Sequence, residues 1–212
     1  MRIVVFGATG GTGQEIVQRA LSVGHHVRAA VRTPSKMDYR DPNLEVFKAD
    51  IYDPISVAAA IEGQEAVLTA VAPKGFSLTE KTDLFSQSAK AILPAMQKHD
   101  VKRLIAVSTS ARRGYSPDNH PVFELIIKNI FWRTLYSDVV AMDDLIMKSP
   151  VYWTLIRPPQ VIDKPATGTY RIAEQKFAVP GGASIGRADL AAFIVSVIDA
   201  EQLYCKNVAI AY

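Results

Sequence analysis

Met1-Arg2-Ile3-Val4-Val5-Phe6-Gly7-Ala8-Thr9-Gly10-Gly11-Thr12-Gly13 opens the chain, and the reading of this stretch decides the fold. Ile3 to Phe6 is a short apolar run of the kind that forms a buried parallel strand. Gly7, Gly10 and Gly13 follow at even spacing before a helical pattern begins at Gln14. Gly7 turns the chain, Gly10 lets the backbone approach a pyrophosphate, and Gly13 lets helix and strand pack without a Cβ between them. The free N–H groups and positive dipole end of the helix then face the anion. Glycine-rich turns have purely structural uses as well, but this one stands behind a strand and before a helix, which predicts a dinucleotide site.

Bulk composition sets the frame around that unit. A chain of 212 residues suits one sheet-based domain with a well-buried core, and 49% hydrophobic with 21% charged residues excludes disorder. The net charge of +3 is small and its cations are scattered, so no nucleic-acid partner is expected. A single cysteine, Cys205, rules out an intrachain disulfide framework, reads as structural, and suits a reducing, cytoplasmic location. Gly7 and Gly10 cut the first apolar run too short for a signal peptide, and no stretch reaches the length of a membrane span.

From the glycine turn the chain alternates. Gln14 to Val23 has helical spacing and Gly24 ends it; His25-His26 reads as a solvated turn, so no metal is expected. Val27 to Val31 is the second strand and stops at Arg32. A dinucleotide without a 2′-phosphate calls for a carboxylate at this strand end, whereas a 2′-phosphate calls for a cation. Arg32 and Lys36 stand there with no carboxylate before Asp38, which predicts NADP(H).

Leu44 to Ala49 is a third strand closed by Asp50, an acceptor for the adenine amine or a loop-fixing residue. Asp53-Pro54 opens a helix as N-cap and first turn. Ala66 to Val71 is the fourth strand, and Ala70, Val71 and Ala72 leave room for ribose and nicotinamide. Lys74 in the next loop is either solvated or reaches phosphate or substrate. A helix over Thr79 to Lys98 is expected to kink at Pro94. Arg103 to Val107 is the fifth strand and delivers Ser108-Thr109-Ser110-Ala111 to the sheet end where open α/β sheets place their chemistry.

Tyr152 to Arg157 is the sixth strand, followed by a loop fixed by Pro158 and Pro159 on the substrate side, and Arg157 is expected to anchor it. Extended pieces at Tyr170 to Ala173 and Lys176 to Val179, a turn at Ser184 to Asp189, a helix over Leu190 to Ile198 and a strand at Asn207 to Ala211 complete the pattern. The fold expected is a single-domain α/β protein over 1–212, a Rossmann-type doubly wound parallel sheet, with substrate-side elements mostly within 112–186.

The glycine turn, Val31-Arg32, Ala49-Asp50 and Ser108 to Ala111 together resemble the atypical short-chain dehydrogenase/reductase group that binds NAD(P)H and includes the NmrA-like proteins. Arg157-Pro158-Pro159-Gln160, Ala166 to Tyr170 and Ile185 to Leu190 are similar to the NADPH-dependent biliverdin and flavin reductase branch. The resemblance implies that Gly7, Thr9, Gly10, Gly11, Thr12 and Gly13 cradle the pyrophosphate. It further implies that Arg32 and Lys36 take the 2′-phosphate and that Ser110 lies near the nicotinamide; by their place at the strand ends Ser108 and Pro158 are expected to border the cofactor. Gln160 departs from the branch, which has a histidine there; an amide binds substrate but supplies no acid.

The wider dehydrogenase superfamily pairs a tyrosine with a lysine four residues on, because the ammonium lowers the phenol's pKa. No tyrosine here has that lysine. Tyr136 stands about where the pair falls, followed at the required spacing by Val140, and so acts as a neutral hydrogen-bond donor. Alcohol oxidation is disfavoured, and hydride transfer to a conjugated acceptor such as a flavin, quinone or linear tetrapyrrole asks less of the protein. The leading expectation is an NADPH-dependent reductase with Ser110 and Tyr136 at the chemistry; the alternative is a non-catalytic NADP(H) sensor. A related isomerase or ether reductase lacks an evident catalytic lysine. The apolar segment from Pro121 to Leu135, Phe123 included, is core, a pocket wall for a planar substrate, a dimer contact or a membrane-surface contact. Monomer and homodimer are both compatible.

Overall fold

The computed structural model describes residues 1–73, 82–110, 133–176 and 178–212, with the side chains of 133–136 outside that description. Ten strands and five α-helices lie among the described residues. In chain order they begin β1 (Arg2–Phe6), α1 (Gly11–Ser22), β2 (His26–Val31), β3 (Leu44–Lys48), α2 (Pro54–Ile61), β4 (Ala66–Thr69) and α3 (Leu84–Lys98). They continue β5 (Arg103–Val107), α4 (Arg133–Met147), β6 (Tyr152–Arg157), β7 (Gln160–Ile162), β8 (Arg171–Glu174), β9 (Ser184–Gly186), α5 (Arg187–Ser196) and β10 (Lys206–Ala211).

Eight strands form one sheet in the order β3-β2-β1-β4-β5-β6-β10-β8. All its pairings are parallel except the edge pair β10–β8, so the expected doubly wound sheet holds with one antiparallel strand added. β1 explains why its sequence is apolar without alternation. Ile3 and Val5 point into the layer shared with α1 and α5, while Val4 and Phe6 point into the layer with α2, α3 and α4. Ile3, Val4 and Val5 are wholly buried. From β1 the chain winds through β2 and β3 to one side and returns through β4, β5 and β6 to the other. The order therefore reverses between β1 and β4, and a crevice opens beyond the carboxyl ends of those strands.

Several boundaries differ from expectation. α1 starts at Gly11, three residues before Gln14, because Gly10 is its N-cap in extended conformation. β4 stops at Thr69, so Ala70 and Val71 leave the sheet. Ser184–Gly186 is a strand rather than a turn, pairing with β7 in a small parallel sheet, and no strand forms over the described residues of 176–179. Asp53 caps α2 as expected, accepting from the Ile55 N–H at 3.1 Å. Pro94 lies inside α3 without ending it.

Arg103, at the start of β5, is 4% exposed and donates to the Val197 and Ile198 carbonyls at 2.8 and 2.7 Å. It closes the end of α5 while lying over the Tyr204 ring at 4.6 Å. Burial pushes its guanidinium down to about 10. Cys205, expected to be structural, is exposed in left-handed backbone at φ 56°.

Candidate dinucleotide site

The glycine turn is built by close approach. Gly7 has φ +80°, and a Cβ there would lie 2.6 Å from the Ala70 carbonyl oxygen across the crevice. A Cβ on Gly13 would overlap the Gly7 carbonyl itself. Gly10 donates its N–H to that same carbonyl at 2.9 Å, which closes the turn, and Gln14 returns the first helical bond to Gly10 at 2.8 Å. The N–H groups of Gly11, Thr12 and Gly13 thus begin α1 with no intrahelical acceptor.

Two helices point their N-termini to this edge of the sheet, and they are finished differently. α5 carries Asp189 in its first turn, whereas the first turn of α1 has no acid and Gly10 offers no capping side chain. Asp189, 1% exposed, accepts from the Thr167 and Gly168 N–H groups at 3.0 and 2.9 Å and from the Thr167 and Tyr212 hydroxyls at 2.9 and 2.8 Å. Burial raises its carboxyl, but these donors outweigh burial and leave it below the ordinary carboxylate range. One helix has its anion built in, and the other is left bare, as a bound phosphate requires.

At the end of β2, Arg32 and Lys36 are both exposed, and Lys36 belongs to a short 3-10 turn over Pro34–Lys36. Arg32 lies near Tyr52, which is half exposed. Partial burial and the hydrogen bond to Asp83 raise the Tyr52 phenol, and the Arg32 charge opposes that rise. One Asp50 carboxylate oxygen accepts from the Tyr52 N–H at 3.0 Å, a bond that fixes the loop after β3. Ala70 and Val71 are half-buried and Ala72 is exposed beside the crevice. The Thr69 hydroxyl just before them is buried without a hydrogen-bond partner.

Under the turn at 108–110 lies an ion pair that composition and motif reading passed over. Arg157 Nη2 meets Asp143 Oδ2 at 2.8 Å with both side chains closed to solvent. Its other donors reach Asn207 Oδ1 at 2.7 and 3.0 Å, and Ser108 Oγ and the Thr109 carbonyl at 3.1 Å each. Ser108 Oγ donates to Asp143 Oδ1 at 2.8 Å. Arg157, expected to anchor the proline loop, donates to the turn at 108–109 and holds it from beneath. The Ser108 hydroxyl is thereby drawn inward, and the Ser108 N–H donates to the Ile156 carbonyl at 2.8 Å. The Ser110 N–H donates to the buried Pro158 carbonyl at 3.0 Å, and Gln160 stands exposed at the start of β7. Asp143 is therefore half of a buried ion pair.

Lys74 and Phe123 lie outside the described residues, as does the Tyr136 side chain, whose backbone belongs to α4. Among the described residues no metal-binding cluster occurs, and no helix is long and apolar enough to cross a membrane. Asn207 escapes sequence reasoning as a partner of Arg157 because the two stand 50 positions apart. The signal available was chemical: a charged residue inside an apolar strand, as Arg157 is in Leu155-Ile156-Arg157, needs a partner.

A bare helix start, a turn that excludes Cβ atoms and a crevice at the strand reversal define a Rossmann-type nucleotide-binding protein. Residues 7–201 match the family model described as NAD(P)H-binding, and the chain belongs to that family. An uncharacterized chloroplastic protein of Arabidopsis thaliana is 28% identical over 99% of this chain and 76% of its own. The uncharacterized sugar epimerase YhfK of Bacillus subtilis is 28% identical over 94% and 88%. The oxidoreductase ylbE of Lactococcus lactis superimposes with a TM-score of 0.79 at 21% identity, covering all of this chain and 90% of that one. Curated plant reductases match over less than half of their own length.

Proposed function

We propose that the chain is an NADPH-dependent reductase that passes hydride to a conjugated acceptor of the flavin, quinone or linear tetrapyrrole class. The observation that carries the cofactor choice is the exposed Arg32 at the end of β2, with no carboxylate before Asp38 in the sequence. The turn fits the rest of the dinucleotide, since Gly7 and Gly13 pack against backbone too closely for any side chain and α1 opens above them with bare N–H groups. When bound, the reduced nicotinamide supplies the hydride.

The chain's own residues bind and orient. Gly10 to Gly13 with Thr9 and Thr12 hold the pyrophosphate, and Arg32 with Lys36 holds the 2′-phosphate. Ala70 to Ala72, Ser108 and Pro158 border the ribose and nicotinamide. Asp50 fixes the adenine-side loop. The Ser110 hydroxyl donates to a carbonyl of the acceptor or of the nicotinamide amide, and Gln160 lies on the acceptor side. Tyr136 serves as a neutral donor. No tyrosine is followed at the required spacing by a lysine, so the proton that accompanies the hydride comes from solvent. This division favours acceptors whose reduced form is stabilised by conjugation. The likeness of Arg157 to Gln160 and Ile185 to Leu190 to the biliverdin and flavin reductase branch supports the same reading.

The test is loss of reduced-nicotinamide absorbance on mixing NADPH-loaded protein with FMN, a small quinone or biliverdin, beside Arg32→Ala. Turnover well above the uncatalysed rate, with the variant weakened in NADPH affinity, supports the reductase. Tight NADPH binding without turnover overturns it in favour of a non-catalytic sensor.

A further inference from the structure

Arg187 is the first residue of α5, and its side chain crosses to α1. A Cβ on Gly11 would stand 2.7 Å from Arg187 Nε and 3.2 Å from its Cζ, so the guanidinium fills the place a side chain at position 11 would take. On a helix the Cα–Cβ bond tilts toward the N-terminus, and that place is therefore the mouth of the glycine turn. The electrostatics there are unfavourable to a cation. Arg187 sits in the first turn of its own helix and against the first turn of another, both positive dipole ends. The nearby Asp189 is committed to Thr167, Gly168 and Tyr212. The compensating anion is Asp163, which pairs with Arg187 Nη1 from the loop after β7. The Asp163 side chain is 89% exposed and that of Arg187 28%, so the pair is a solvent-side contact of small net worth.

We infer that Arg187 is a pyrophosphate-binding residue, held over Gly11 by Asp163 until the dinucleotide arrives and then exchanging that carboxylate for a phosphate oxygen. The guanidinium meets the part of the ligand common to NADH and NADPH, whereas Arg32 meets only the 2′-phosphate. Glycine at position 11 leaves the cation its path across the helix start. This inference rests on the dinucleotide reading of the turn but needs no turnover.

The experiment is equilibrium titration of NADPH and NADH by nicotinamide fluorescence on the full chain, with thermal melting alongside. Arg187→Met, which keeps the stem over Gly11, should weaken both ligands about equally, roughly tenfold, with the melting temperature unchanged. Asp163→Asn, at a side chain too exposed to matter for folding, should tighten both several-fold, because the bound phosphate no longer competes with a carboxylate. Unchanged or weaker binding in Asp163→Asn, or a loss confined to NADPH in Arg187→Met, overturns the inference. Failure of the wild-type chain to bind either nucleotide overturns the dinucleotide reading itself.

Discussion

Asp143 and Arg157 meet at 2.8 Å with side chains 1% and 0% exposed, one from α4 and one from the end of β6, and the turn at 108–110 rests on them. Breaking such a pair strands a buried charge. Asp143→Asn should cost about 3–5 kcal/mol in urea denaturation, while Ser108→Ala should cost only about 1–2 kcal/mol. Near-equal losses in the two variants would mean that the turn, not the charge pair, carries the stability.

Asp189 gives the fold an acid-sensitive joint. Its folded carboxyl lies below the ordinary value of 3.8, so the stability it contributes is fully present above that pH. It is lost as pH falls through the depressed folded value, because the unfolded chain takes up the proton first. Asp189→Asn should lower stability at neutral pH by about 1–3 kcal/mol and flatten the acid limb of a stability–pH curve. An unaltered limb would assign acid sensitivity to other carboxylates.

The glycines of the turn should separate by substitution. Gly7→Ala and Gly13→Ala drive a methyl into backbone, at Ala70 and Gly7 respectively, and should destabilise by about 3 kcal/mol or more. Gly11→Ala meets only the flexible Arg187 side chain and should fold normally. Melting curves distinguish the two classes.

Arg32→Ala should weaken NADPH at least about tenfold and leave NADH nearly unchanged, since a charge-assisted phosphate contact is removed from one ligand alone. Equal weakening of both would place Arg32 on the adenine rather than on the 2′-phosphate.

Ser110→Ala should lower kcat for a conjugated acceptor about tenfold without changing NADPH affinity, the size of one hydrogen bond made in the transition state. A rise in KM for NADPH with kcat unchanged would move Ser110 to the cofactor's ground-state contacts.

The first six residues and the glycine turn were legible because both signals are local: an apolar run and residues without Cβ atoms. The same holds for Asp53-Pro54 at α2 and for the β2 end at Arg32. The start of α1 was misplaced because Gly11, Thr12 and Gly13 are weak helix formers whose helical geometry comes from packing against Gly7. β9 reads as a turn in sequence because a three-residue strand has no periodicity to detect, and its partner Gln160 to Ile162 lies 24 positions away in register. The Arg157 pair is hidden for a related reason: its three side-chain partners come from the turn after β5, from α4 and from β10, which only the sheet brings together.

β10 enters the sheet between β6 and β8, pairing Lys206 with Thr154 and Ala211 with Arg171. Its slot cannot be completed by neighbours in sequence, and closing a loop of that length precedes any pairing gain. Assembly should therefore run in two stages, with the glycine turn and β1 to β5 protected from pulse-labelled hydrogen exchange before β10. Until the second stage Arg157 lacks Asn207, so the support beneath the turn at 108–110 is finished last.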